Sequence, residues 1–150
     1  MPMVVRCASP KDVPRIAEFN LRLAEETEKL HLNPVTVRNG VEAVLADPGK
    51  GRYLLAEKDR NVIGQLLLTY EWSDWRNAYF WWIQSVYIVP EERKNGVFKT
   101  LYESVKNEAN ATFGVCGLRL YVDHENRSAQ RVYEKLGMIS RRYGFYETEF

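Results

Sequence analysis

A basic turn leads directly into a helix in the second half of the sequence. Arg93-Lys94-Asn95-Gly96 follows an apolar strand, and Val97 begins a strongly periodic segment. The first N–H groups of a helix have no partner within the helix, and the helix dipole favours negative charge at that end. Lys99 adds a further positive charge nearby. The turn could therefore bind an anion such as a phosphate, although turns of this type are more often ordinary solvated loops.

The elements around this turn predict a mixed α/β protein, with residues 1–150 forming one domain. The expected order is β-α-α-β-β-β-α-β-α-β. The first helix opens at Ser9-Pro10 and carries an apolar face from Val13 to Leu30, with an acidic run, Glu25 to Glu28, as a solvated surface near its end. The other expected segments are strands at 3–7, 52–57, 62–70, 78–89, 118–122 and 143–150 and helices at 96–110 and 126–136. A further helix is expected after the break at Asn33-Pro34, ending before Asp47.

Composition excludes several classes of protein. The chain has 150 residues, of which 45% are hydrophobic and 27% charged, as in a folded domain. A net charge of +1 provides no general attraction to nucleic acid or anionic membranes, and no run approaches the ~20 apolar residues of a membrane span. The polar N-terminus does not resemble a signal peptide, so we expect a cytoplasmic protein without nucleic-acid or membrane partners. Cys7 and Cys116 lie in apolar runs and are expected to be buried thiols, and no Cys/His cluster indicates a metal site.

Two motifs resemble those of the GNAT family of N-acetyltransferases. The acidic turn with Arg93-x-x-Gly96 before a helix is similar to the acetyl-CoA signature of that family. The segment from Asn126 through Tyr133 to Gly137, about 30 residues further on, is similar to its other motif. The first strand and helix also resemble the family's start, so the resemblance covers nearly the whole chain. It is nearest to the small-amine branch, which includes spermidine/spermine and thialysine acetyltransferases.

The resemblance implies a mostly antiparallel sheet flanked by helices, and acetyl-CoA as the cosubstrate. In the family, the strand before the basic turn binds the pantetheine arm through backbone positions that match Val86, Tyr87 and Ile88. One of these amides would polarise the thioester carbonyl. The pyrophosphate would lie against Arg93, Lys94, Asn95, Gly96, Val97, Phe98 and Lys99. Asn126, Ser128 and Ala129 would contact the cofactor from the later helix.

Phe98 departs from the family pattern, which has a small residue at that position. Phe98 and Tyr102 fall on one helical face. We therefore expect the Phe98 ring to point inward and to leave the backbone amides accessible to the pyrophosphate.

Tyr133 is the candidate catalytic residue. The departing CoA thiolate needs a proton, and a phenol of pKa about 10 is close enough to a thiol of pKa about 8.5 to supply it. Helical spacing alone would favour a packed tyrosine at this position. The flanking Asn126 and Gly137, which match the family motif, favour the catalytic role.

The sequence assigns neither the general base to one residue nor the acceptor to one compound. Relatives that acetylate polyamines have a carboxylate in the region that matches Gln84, and a neutral amide favours a compact, zwitterionic acceptor over a long polycation. Glu26 and Trp75 are further candidates for binding the acceptor, which would be an amino-acid-like amine or a polyamine. The alternatives are acetylation of a protein or peptide, and a non-catalytic acyl-CoA-binding module. Because the small-amine branch is commonly dimeric, we expect a homodimer, with the aromatic segment 142–146 as a candidate contact.

Overall fold

The structure is a computed structural model that describes residues 2–150. It contains two compact units, one that ends at Leu120 and one that comprises Tyr121–Phe150. The first unit contains five strands, β1 (Val4–Cys7), β2 (Arg52–Lys58), β3 (Asn61–Ser73), β4 (Ala78–Ile88) and β5 (Val115–Leu120). Its helices are α1 (Val13–Glu28), α2 (Pro34–Ala46) and α3 (Val97–Ala111), and the second unit contains α4 (Arg127–Lys135).

The five strands form one sheet in the order β1-β2-β3-β4-β5. The first three pairings are antiparallel, and β4 pairs with β5 in parallel, after the crossover through α3. This is the mixed, mostly antiparallel α/β class that the sequence predicts.

Helices cover both faces of the sheet. Adjacent strand residues point to opposite faces. On β3, a Cβ at Gly64 would lie 3.0 Å from Val97 of α3, whereas the next side chain, Gln65, hydrogen-bonds Asn20 of α1. α1 therefore packs on one face and α3 on the other, which explains why the central strands are apolar on both faces.

Large apolar side chains on the two helices anchor them to the sheet. Ile16 and Phe19 of α1 and Leu101 and Val105 of α3 are fully buried. Burial of each such side chain contributes about 1.5–3 kcal/mol to folding. The Phe19 ring lies 5.0 Å from the ring of Tyr87, so α1 packs directly over the end of β4.

The boundaries of α1, of the fifth strand and of β3, which extends to Ser73 instead of residue 70, differ from the sequence prediction. A short 3₁₀ turn, Pro10–Asp12, precedes α1, and the helix ends at Glu28 because Lys29 adopts a left-handed conformation with φ of 56°. Leu30 is consequently outside the apolar face and 49% exposed. The fifth strand is Val115–Leu120 rather than 118–122.

The predicted last strand is wrong. Within the described part of the second unit, residues 138–150 contain no strand, and Tyr143 and Tyr146 are exposed. Aromatic residues favour strands only where a neighbouring strand supplies hydrogen-bond partners for the backbone.

The burial predicted for Cys7 and Cys116 is also wrong. Both are exposed, because they lie on β1 and β5, the outermost strands of the sheet. No helix within residues 2–150 is long and apolar enough to cross a membrane.

Candidate active site

β4 contains a bulge at Ser85 and Val86. Gln84 lies opposite Leu67 and Tyr87 lies opposite Gln65, so two residues of β4 face Leu66 alone. Ser85 has φ of 50°, a left-handed conformation that is unfavourable for a residue with a side chain. A bulge bends the strand and interrupts the ladder, and thereby changes the direction of the backbone that follows.

β4 also separates from its other neighbour at the same level. Its pairing with β5 ends at Ile83, opposite Leu120. From Gln84 onward, one edge of the β4 backbone therefore has no partner in β5. Val86, Tyr87 and Ile88 lie on this segment, where the sequence resemblance implies backbone hydrogen bonds to an extended ligand.

The basic turn after β4 has the backbone of an anion site. Lys94 and Gly96 have φ of 66° and 79°, and both are exposed. Gly96 is the N-cap of α3 and has no side chain to accept hydrogen bonds from the first-turn amides. Lys94, Asn95 and Lys99 are exposed around this helix start. Positive φ values before a helix start, together with exposed basic side chains, are typical of anion-binding turns.

Arg93 holds the turn against the rest of the first unit. Its Nε donates to the carbonyl of Ile88 at 2.9 Å, and its Nη2 pairs with Glu26 at 2.8 Å. The guanidinium also lies 5.3 Å from the ring of Tyr87, whose hydroxyl donates to Glu26 at 3.2 Å. Arg93 therefore links the end of β4 to α1, a role that sequence reasoning missed. Glu26 takes part in an ion pair, so the acidic run is not purely a solvated surface.

Phe98 packs as its helical position predicts. Its ring lies 6.1 Å from that of Tyr102, and Phe98 is half-buried. Tyr102 is buried against the sheet side of α3, since it belongs to the same face as Leu101 and Val105. The large side chain thus lies on the packed face of the helix.

A cavity of about 400 Å³ lies between α1, α2 and the strands β2 to β4. Ser85 lines it, so the cavity reaches the bulge. Its walls are mainly apolar and its polar groups few, as in pockets that bind small molecules. The lining residues are Asn20, Leu23, Ala24, Glu28, Leu32, Val37, Gly40, Val41, Val44, Tyr53, Leu67 and Ser85.

A chain of hydrogen bonds runs from this cavity to the bulge. Asn20 donates to the Tyr53 hydroxyl at 3.2 Å and accepts from Gln65 at 2.8 Å. The Gln65 amide also donates to the carbonyl of Ser85 at 3.0 Å. Burial raises the pKa of Tyr53, so its hydroxyl stays neutral. Sequence reasoning missed all four residues, although Gln65 stands out as a fully buried amide in the apolar run 62–68.

The three predicted acceptor residues lie outside the cavity lining. Glu26 pairs with Arg93. Trp75 is 87% exposed in the turn between β3 and β4. Gln84 donates to the Thr69 hydroxyl at 2.5 Å.

The second unit contains the remaining predicted residues. The Asn126 side chain caps α4 by accepting from the backbone N–H of Ala129 at 3.1 Å, with Ser128 exposed beside it. Tyr133 is half-buried, and burial raises its pKa above 10.0. The phenol is therefore protonated at neutral pH, as a proton donor must be. Gly137 has φ of 91° and ends the helix as predicted.

Within residues 2–150, no group of three His, Cys, Asp or Glu side chains could hold a metal ion.

Known structures of similar fold match the chain over its full length. A possible acetyltransferase from Clostridium difficile 630 is 41% identical, with a TM-score of 0.92 over 100% of this chain and 99% of that one. A predicted acetyltransferase from Clostridium acetobutylicum, solved with acetyl-CoA, is 19% identical, with a TM-score of 0.78 over 98% and 96% of the two chains. At that identity, the second likeness shows the fold alone.

No curated protein matches the chain significantly. The model of the acetyltransferase (GNAT) family, however, matches residues 17–138. That range includes the bulge of β4, the basic turn and α4. The enzyme class that the sequence predicts, an N-acetyltransferase, is confirmed, and the chain belongs to the acetyltransferase (GNAT) family.

Proposed function

We propose that this protein transfers the acetyl group of acetyl-CoA to the primary amine of a small molecule. The observation that carries the proposal is the bulge at Ser85, which has the cavity on one side and, beside it, a segment of β4 that extends beyond the pairing with β5. Such an arrangement can hold a thioester by backbone hydrogen bonds next to a pocket for the acceptor. The GNAT family uses acetyl-CoA as its cosubstrate, and the match to that family supports the choice of donor.

The cofactor would lie along β4 and end at the basic turn. In this proposal, the backbone of Val86, Tyr87 and Ile88 binds the pantetheine arm, and one N–H stabilises the negative charge that develops on the thioester oxygen. The pyrophosphate binds the first-turn amides of α3 and the charges of Lys94 and Lys99. Arg93 is a positioning residue here, because its guanidinium already binds Ile88 and Glu26.

The reaction needs two proton movements. The neutral amine attacks the thioester carbonyl, a C–N bond forms, the C–S bond breaks and CoA leaves as a thiolate. Tyr133 supplies a proton to that thiolate; its phenol, whose pKa burial raises, is protonated at neutral pH and so has a proton to give. The attacking nitrogen loses its own proton to a general base, which this proposal does not assign to a residue.

The cofactor also contacts residues of the second unit, namely Asn126, Ser128 and Ala129. The family match spans both compact units, which supports one working domain.

The test is a thiol-release screen with acetyl-CoA against aliphatic amines, polyamines, amino acids including thialysine, aminoglycosides and peptides. We expect thiol release that depends on a small amine, with the acetylated amine identified by mass spectrometry. Lys94→Glu should weaken acetyl-CoA binding about fivefold, whereas Lys106→Glu, in the C-terminal half of α3, should not. Release with peptides alone would reject the small-amine acceptor. Binding of acetyl-CoA without any acceptor-dependent release would indicate an acyl-CoA-binding module.

A further inference from the structure

The two ends of the cavity beside the bulge are lined by different polar groups. Asn20, Ala24 and Glu28 lie on one stripe of α1 at four-residue spacing, and all three line the cavity. Asn20 is joined through Gln65 to Ser85, so it marks the end nearest the bulge. Glu28 is the last residue of α1 and lies about 12 Å further along the helix axis, given a rise of about 1.5 Å per residue.

The wall between these two ends is apolar. Leu23, Ala24, Val41 and Val44 line it from the helices, and Leu67 lines it from the sheet. Among the described residues that line the cavity, Glu28 alone carries a charge. The negative end of the α1 dipole adds to its carboxylate, so this end of the cavity favours a cation.

We propose that the acceptor is an elongated diamine with an apolar spacer, which reacts at the bulge while its second ammonium group pairs with Glu28. The proposal rests on the proposed function and names the substrate class for its acceptor site. At about 1.2 Å per bond in an extended chain, a spacer of roughly six to eight methylenes connects the two ends, after allowance for the reach of the Glu28 side chain.

The same lining disfavours two other classes of amine. An α-amino acid that reacts at its α-amine would bring its carboxylate beside the bulge, where none of the described lining residues is cationic. One that reacts at a side-chain amine, such as lysine, would bring its carboxylate toward Glu28, which repels it. Spermidine would place its internal ammonium against the apolar wall without a partner. The expectation of a compact zwitterion depended on Gln84, which hydrogen-bonds Thr69 and lies outside the cavity lining.

The first experiment compares kcat/KM for straight-chain diamines with that for monoamines of the same length. Diaminohexane and diaminooctane should exceed aminohexane and aminooctane by about two- to fivefold, the range expected of an exposed ion pair. Glu28→Gln should bring this ratio close to one, mainly through KM. The matched control, Glu25→Gln, removes a carboxylate from the same helix end outside the cavity lining and should preserve the ratio.

A second variant tests occupancy of the cavity without loss of folding. Gly40 lines the cavity from within α2, and a Cβ there would meet nothing within 4 Å. Gly40→Leu should therefore keep or raise the melting temperature, since glycine is unfavourable within a helix. It should reduce kcat/KM for diaminooctane by at least tenfold while acetyl-CoA still binds.

Each outcome decides the proposal. A diamine-to-monoamine ratio of one in the unmodified protein overturns it, and so does a ratio that Glu28→Gln leaves unchanged. A preference for spermidine or lysine over diaminooctane also overturns it, but leaves acetyl transfer to amines standing. Absence of transfer to any amine, in a preparation that binds acetyl-CoA, would instead reject the proposed function itself.

Discussion

Replacement of Gln65 by methionine tests whether the buried amide holds the bulge in β4. Gln65 is fully buried, and its amide donates to Asn20 at 2.8 Å and to the carbonyl of Ser85 at 3.0 Å. Methionine has a similar length and fills the same space without a donor. Two partly buried oxygen atoms, Asn20 Oδ1 and the Ser85 carbonyl, then lose this donor, at a cost of up to about 1–3 kcal/mol each. The substitution also removes the buried Gln65 Oε1, which accepts no hydrogen bond from the described residues, and this offsets part of the cost.

We expect the free energy of unfolding to fall by about 2–4 kcal/mol, because the two oxygens regain part of their hydrogen bonding by local movement. For a chain of this length, that corresponds to a drop in melting temperature of roughly 5–15 °C. Ser85 already has an unfavourable left-handed backbone, so loss of its partner allows the bulge to relax. The backbone N–H groups of residues 86–88 then move, and a displacement of about 1 Å can reduce turnover about 10²-fold.

The assay is kcat with the best amine, measured well below the melting temperature of the variant. The control is Leu68→Ala, which removes a fully buried side chain from the same strand at a cost of about 2–5 kcal/mol. Leu68 lies opposite Ile83, before the bulge, so its loss should lower stability and leave kcat within about threefold. Equal losses of kcat in both variants would refute a specific role for Gln65, as would an unchanged kcat in Gln65→Met.

Three further predictions concern the proton donor, the oligomeric state and an ion pair next to the start of α1. Tyr133→Phe should lower kcat about 10²–10⁴-fold at unchanged acetyl-CoA affinity, and an unchanged rate would mean that another group protonates the thiolate. The protein should be a homodimer by light scattering at tens of micromolar, with the exposed aromatic segment 142–146 as its contact; a monomer would reject this. Asp12 is buried and paired with Arg6 at 2.8 Å, which lowers its pKa from 3.8 to about 2. Its folded pKa lies below its unfolded one, so this contribution to stability is complete above pH about 4 and disappears as pH falls toward 2. Melting curves of Asp12→Asn should therefore change less with pH over that range than those of the unmodified protein, and equal slopes would contradict this.

Local patterns in the sequence predict most of the sheet, because apolar runs and turn residues are visible over short distances. The long apolar strand at 78–89 corresponds to β4, and the periodic helix at 96–110 corresponds to α3 within one residue. The last strand fails because strand formation depends on a neighbour, which an aromatic segment does not provide by itself. The predicted end of α1 is wrong for a different reason. Lys29 takes a left-handed conformation that is more usual for glycine or asparagine, so the sequence contains no stop signal there.

The candidate site is predictable only where it consists of backbone and short motifs. The basic turn and the cap at Asn126 were accessible in this way. The bulge at Ser85 depends on register between β3 and β4, and Glu26, which pairs with Arg93, lies on α1, 67 residues away in the chain. The cavity is formed by elements from the first and second thirds of the chain, so no local pattern identifies its lining residues.

The most direct test of the central claim follows the acetyl group itself. Acetyl-CoA labelled with ¹³C at the thioester carbonyl is incubated with the protein and the best amine of the thiol-release screen, and the products are followed by NMR and mass spectrometry. Acetyl transfer predicts that the label appears in an amide of that amine, with one free CoA thiol for each amide formed. Label that stays in bound acetyl-CoA, or that leaves as free acetate, would contradict the assignment of this site to acetyl transfer onto an amine.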